Sequence, residues 1–230
     1  MKNHRIGIRI INLIIPVLSS VLLTACIQDY LNPQETISDV DGNEYKIVKI
    51  GEQTWMAENL RTTRYNDNEA ITLVKDTPTW ISTTEDAFCF YLNNSTIYGE
   101  NYGAFYNCHV VESGKLCPTG WHVPSDEEFQ DLIDFIGTLE DGGKLKEKAF
   151  DHWKSPNEGA EDAVGFAARG SGYRNDLGEF KSLYEEVYYW TSTEFDSVNA
   201  WAFGLNYDST GISHENYKKT NGFSVRCIKD

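Results

Sequence analysis

Positive charge is scarce in this chain: Lys and Arg number 20 against 35 Asp and Glu, a formal net charge of −15. Binding to nucleic acid rests on Lys and Arg neutralising phosphates, so that class of partner is not expected. The same deficit argues against lying flat on an anionic bilayer. Metal-ligand spacing is missing as well. No two cysteines form a C-x-x-C pair, and His109, His122, His152 and His214 are scattered without a helical i, i+4 pair. Asp39-Val40-Asp41-Gly42-Asn43 begins like a calcium-binding loop, but Glu44 and Ile50 stand where such a loop needs its Gly and its final Glu. A G-x-S-x-G nucleophile elbow is absent. Gly170-Ser171-Gly172 has Asn175 where a dinucleotide fingerprint requires a third glycine. These gaps leave no catalytic, cofactor or metal site to be expected, and the chain is read as a non-enzyme.

Beyond its first 25 residues the chain also lacks a long hydrophobic run. Those residues divide into three parts. Lys2, Arg5 and Arg9 form a basic start, and Ile10 to Leu22 form an apolar stretch. Leu23-Thr24-Ala25-Cys26 then resembles the lipobox of bacterial lipoproteins. A plain membrane-spanning anchor needs about 20 mostly apolar residues. Here Asn12, Pro16, Ser19 and Ser20 interrupt the stretch, and a bare anchor gives no reason for the Cys26 ending. The expectation is a signal peptide over residues 1–25, lipid attachment at Cys26 and a tether over 26–36. Each buried CH₂ contributes about 0.8 kcal/mol, so several acyl chains hold a protein on a membrane where one alone is marginal. The implied location is the cell envelope, lipid-anchored to the outer membrane and facing the exterior.

Removing residues 1–25 takes away three basic groups and no acid. The remaining 205 residues, with 17 basic and 35 acidic groups, are long enough for one domain with its own core. Four cysteines are left: Cys89, Cys108, Cys117 and Cys227. An even count in an exported chain suggests disulfides, and four cysteines allow three connectivities.

Short strands separated by turns dominate from Asp39 onward. Asp41-Gly42 is a hairpin-type turn signal, followed by alternating Tyr45 and Ile47 and a second short strand at Thr54-Trp55-Met56. Residues 61–110 show no clear period and read as loops and short strands. One helix is well marked. Ser125-Asp126-Glu127-Glu128 is a capping box, Phe129, Leu132, Ile133 and Ile136 make one apolar face, and Gly137 ends it. The acids of its first turn suit the helix dipole rather than catalysis. Residues 151–182 are Gly-rich and irregular. Strands are expected over 200–207 and over 222–227, the second placing Phe223, Val225 and Cys227 on one buried face.

Several segments together carry a family likeness. They are Asp39 to Tyr45 with Ile50 to Leu60; Cys117-Pro118-Thr119-Gly120-Trp121-His122-Val123-Pro124-Ser125-Asp126; Gly165-Phe166-Ala167-Ala168 with Gly172-Tyr173-Arg174-Asn175; Tyr189 to Glu194; and Gly222 to Cys227. Residues 37–230 resemble the Fibrobacter succinogenes major paralogous domain, a family of exported bacterial proteins. The resemblance implies an α+β, C-type-lectin-like fold: short twisted antiparallel strands, one or two helices and long irregular loops. It is also similar to the sulfatase-modifying-factor fold. It implies a Cys117–Cys227 disulfide and leaves Cys108 as the remaining partner for Cys89.

Lectin-like folds present recognition residues on long loops, although fold alone does not give function. The expected role is a non-enzymatic surface module binding a glycan or a surface protein. The rivals are a structural or fimbria-associated envelope component and a sulfatase-modifying-factor-like enzyme dependent on free thiols. Trp55, Trp121 and Trp190 read as core, and Trp153 as the least core-like tryptophan. Ser155-Pro156-Asn157 lacks the leading acid of the Glu-Pro-Asn triplet of calcium-dependent lectins, which argues against calcium-mediated sugar binding. The expected ligand surface is 151–182 together with 208–217, with Trp153, Asn157, Glu158, Arg174 and Asn175 as ligand-binding residues. The plainer reading of Arg174 and Asn175 is that they close a turn.

Overall fold

The computed structural model describes residues 35–230; the expected signal peptide over 1–25, lipid attachment at Cys26 and most of the expected tether over 26–36 lie outside them. The class is α+β, with small, mostly antiparallel sheets and few helices. Strands β1 (Thr36–Ser38), β2 (Glu44–Ile50) and β3 (Gln53–Met56) form an antiparallel meander. The β1–β2 turn is closed by Asp39, whose Oδ1 accepts from the N–H groups of Asp41 (3.0 Å) and Asn43 (2.9 Å), while Gly42 sits at φ +81°. β3 pairs with β13 (Ile228–Lys229), and β13 with β7 (Trp121–His122), completing a five-stranded sheet in the order β1-β2-β3-β13-β7.

Residues 61–110 are more helical than their sequence suggests. Between β4 (Thr72–Leu73), β5 (Ala87–Cys89) and β6 (Phe105–Tyr106) lie α1 (Thr77–Ser82) and α2 (Ser95–Tyr102), and α3 (Cys108–Glu112) follows. Each is short and capped by a side chain, Asp76, Asn94 or Asn107. The marked helix appears as α4 (Asp126–Ile136) with its capping box formed and Gly137 N–H bonded to Ile133 O. The four residues of its expected apolar face, Phe129, Leu132, Ile133 and Ile136, are all buried, while Phe135 is exposed. Burying each such side chain contributes about 1.5–3 kcal/mol, so this face holds the helix more firmly than its caps do.

The longest sheet is β10 (Glu186–Glu194), β11 (Asn199–Asn206) and β12 (Ile212–Lys218), antiparallel throughout. The two-residue side-chain period divides it between two cores. Val187, Tyr189, Phe203, Leu205 and Ile212 pack with Phe129 and Ile133 of α4 and with Trp55 and Phe166. Trp190, Ala200 and Ala202 face the other core, with Tyr45, Met56, Tyr106 and Val110. A two-stranded hairpin, β8 (Tyr173–Arg174) and β9 (Phe180–Lys181), is the one regular element in the irregular 151–182 stretch.

The expected closing strand is not continuous. Residues 222–224 make only single bridges, to Arg174, Tyr106 and Tyr189, before β13 begins. This segment threads between elements, and residues 221–228 are all buried. Leu60 N–H donates to Val225 O at 2.9 Å and Met56 N–H to Cys227 O at 3.0 Å. With both sides covered, the polar members need partners. Ser224 meets Ser171 Oγ at 3.0 Å, and the Arg226 guanidinium donates to the carbonyls of Phe166 and Ala167 and to Asn59 Oδ1.

Cys117 and Cys227 form a disulfide. The second bridge does not form: Cys89 and Cys108 are free and buried. Cys89 lies in a small cluster with Val74, Trp80 and Phe105, whereas Cys108 belongs to the core that contains Trp190, so the two thiols serve different packing units.

Candidate functional site

The five residues expected to bind ligand do not come together. Trp153 is core, at 1% exposure, with its indole N–H donating to Ala168 O at 2.7 Å. Arg174 is wholly buried and bonds the carbonyls of Gly178, Val74 and Lys75, with its guanidinium over the rings of Trp80 and Phe180. It is a structural cation, because a buried charge is kept only where its hydrogen bonds are met. Asn157 is buried and donates to the carbonyls of Glu147 and Ala149. Glu158 alone of these four is exposed. Asn175 closes a turn: its Oδ1 accepts from Leu177 N–H and Glu179 N–H. The turn reading of Arg174 and Asn175 is therefore the one observed.

Asn175 nevertheless lies on a surface hollow of about 360 Å³ where 173–176 meets 216–218. The two stretches expected to share a ligand surface thus do approach each other, but through different side chains. Tyr173, Tyr188, Tyr217 and Phe223 supply the walls. Tyr188 lies stacked on Phe223 with centroids 5.0 Å apart, and Tyr173 and Tyr217 stand edge-on to it at 5.1 and 5.3 Å. Offset and edge-on pairs of this kind hold rings rigidly. Phe223 is buried, while the three tyrosines are half-exposed.

The polar rim is amide-rich. Asn221 donates to Lys218 O, Asn199 binds Asp196, and Asn216 is exposed on β12. The Asp176–Lys218 pair, 2.7 Å, spans the hollow's edge from the β8–β9 turn to β12. Burial pushes the Tyr217 hydroxyl up to about 12, with Glu215 adding to the effect, and burial raises Tyr173 and Tyr188 as well. All three hydroxyls therefore remain protonated at neutral pH; Tyr217 donates to Glu215 Oε2 at 3.4 Å, and each hydroxyl oxygen can accept. Rigid amphipathic rings with neutral hydrogen-bonding groups can grip a polar, uncharged molecule.

Sequence reading missed Tyr188 and Tyr217. The available signal was the aromatic run Tyr188-Tyr189-Trp190 in β10 and Tyr217 near the end of β12, but which face stays open depends on what packs across the sheet.

Elsewhere, three histidines are held against carboxylates. His122 is held between Asp230 (2.7 Å) and Glu128 (2.9 Å), His152 meets Glu147 (2.6 Å), and His214 meets Asp126 (2.7 Å). None of these histidines has a Ser, Thr or Cys hydrogen-bonded to its second nitrogen. Among the described residues no group of three or more His, Cys, Asp or Glu could hold a metal ion, and no helix is long and apolar enough to cross a membrane. No curated protein and no solved structure matches the chain. The model of the Fibrobacter succinogenes major domain matches residues 48–229, and the chain belongs to that family.

Proposed function

We propose that this protein is a cell-envelope lipoprotein, anchored through Cys26, whose C-type-lectin-like domain binds a glycan or surface protein without transforming it. The observation that carries this reading is the hollow walled by Tyr173, Tyr188 and Tyr217 and rimmed by asparagines. It offers stacking faces and neutral donors and acceptors, the mixture that a sugar ring requires. The free thiols that a sulfatase-modifying-factor-like enzyme would use are buried, and burial pushes both up to about 12. The outer membrane, facing the exterior, is the location that fits such a module.

A glycan array probed with the soluble domain tests the binding role. The intact domain should retain a subset of glycans, and Tyr217→Ala should lose them with little change in melting temperature. Retention of no glycan and no surface protein would favour a structural or fimbria-associated component instead. The anchor is tested separately: Cys26→Ser should leave the membrane fraction or persist as an unprocessed precursor, and an unchanged mass and partition would sink it.

A further inference from the structure

Tyr188 belongs to two hollows. Besides the one already described, its ring lines a second, of about 380 Å³, together with Gly204, Asn206, Ser209, Ser213 and Glu140. Strand register explains why. Tyr188 lies opposite Gly204, and Gly204 opposite Ser213, so all three share one face of the β10–β12 sheet. Along β12 the same face carries Ser213, Glu215 and Tyr217, which runs from the second hollow to the first. Gly204 is what leaves room. A Cβ there would meet the Tyr188 ring at 2.7 Å and collide with the Ser213 hydroxyl.

We infer that the two hollows act as one groove, with Tyr188 between its subsites, and that the groove takes an extended neutral oligosaccharide rather than a single sugar. This rests on the binding role proposed above. The span from Ser213 to Lys218 is five strand steps, roughly 17 Å at about 3.4 Å each, which is longer than one sugar ring. The charge pattern selects the class. Asp176 is matched by Lys218, but Glu140 in the second hollow and Glu215, on the β12 face between the two, have no basic partner among the described residues, on a chain whose net charge is −15. Uronates and sulfated glycans are repelled by such a lining, whereas hydroxyl groups can donate to those carboxylates. The Tyr188 and Tyr217 rings, edge-on to each other, give adjacent stacking faces for successive units of one chain.

Titration calorimetry with the mono- to hexasaccharide members of two neutral series, cello- and manno-oligosaccharides, tests this on the intact soluble domain. In the series that binds, affinity should rise about tenfold or more with chain length, equivalent to about 1.4 kcal/mol. Ser213→Trp, which fills the second hollow, should flatten that rise while the shortest ligand still binds in the first. Ser213 is exposed, so the fold can accept the larger side chain. Affinity independent of length, or length dependence that survives Ser213→Trp, overturns the groove and leaves the single-site binding role standing. Equal binding of an oligouronate series overturns the neutral class. Failure of every member of all three series overturns the groove, and a blank array alongside it removes the binding role as well.

Discussion

Asn59 and Arg226, 167 positions apart, are joined by a buried hydrogen bond of 2.9 Å from the Arg226 Nε–H to Asn59 Oδ1. The same Asn59 oxygen accepts from the Tyr189 hydroxyl, and its amide nitrogen donates to Tyr102 O and Ser224 Oγ. One side chain thereby ties four parts of the chain together. Arg226 itself is fully desolvated, with its guanidinium 4.2 Å from the Phe166 ring centroid.

Asn59→Ala is expected to destabilise strongly. It leaves a buried cation short of an acceptor and a tyrosine hydroxyl short of its partner, at a cost of about 3 kcal/mol. For a domain of this size that corresponds to a fall in Tm of roughly 6–12 °C. Thermal unfolding by circular dichroism measures it, and a fall of less than about 2 °C would show that the network contributes little.

The cysteines should separate cleanly into a bonded pair and two inert thiols. Cys117 and Cys227 close a separation of 110 residues, for which the chain-entropy model gives up to about 4.7 kcal/mol. Non-reducing peptide mapping should recover that pair alone. Cys89 and Cys108, buried and with their thiols pushed up to about 12, should resist alkylation at neutral pH until the protein unfolds. Rapid labelling of either in the native protein would contradict their placement.

His122 should make stability pH-dependent. Partial burial works against its charged form, but its hydrogen bonds to the Asp230 and Glu128 carboxylates outweigh it, and the net shift is upward. A group whose pKa is raised on folding stabilises fully below its unfolded value, about 6.5, and loses that contribution as pH climbs through the folded value. Glu128 is held low in the folded state: burial opposes this, but Ser125 and His122 prevail. Its contribution disappears as pH falls through its depressed value. The Tm advantage of the natural chain over His122→Gln should therefore be largest at mildly acidic pH, shrink above neutrality, and also shrink in strong acid. A difference flat across pH would discount the charged pair.

What could be read from sequence was local. The α4 helix announced itself because Ser125, Glu128 and Gly137 are sequence signals, and Trp55, Trp121 and Trp190 sit in segments with a clear apolar rhythm. Trp153 was misjudged because its neighbours, His152, Pro156 and Glu158, are polar. Its burial comes from residues outside that stretch, such as Lys146, Ala168 and Gly170. The small helices between 77 and 112 bury too few residues to show a period; α2 hides only Gly99 and Tyr102. The closing segment looked like a one-sided strand because Ser224 and Arg226 alternate with apolar residues, yet both are buried among distant partners. The tyrosine hollow joins positions 173 to 223 across four strands and a turn, so no local pattern could reveal it.

The segment 221–228 lies downstream of almost everything it joins, and this has a consequence for how the domain forms. It contributes Phe223, Val225 and Cys227 to one core and Ile228 to the other. A chain emerging N-terminus first can build α4 and its hairpins early, but neither core is sealed until these residues arrive. Assembly is therefore governed by contacts distant in sequence, the regime of slow folding in which half-made intermediates expose apolar surface. A ribosome-bound or translocating chain stopped just short of Gly222 would carry nearly all the sequence of the domain while remaining protease-sensitive, and the addition of a few residues would convert it to a resistant form.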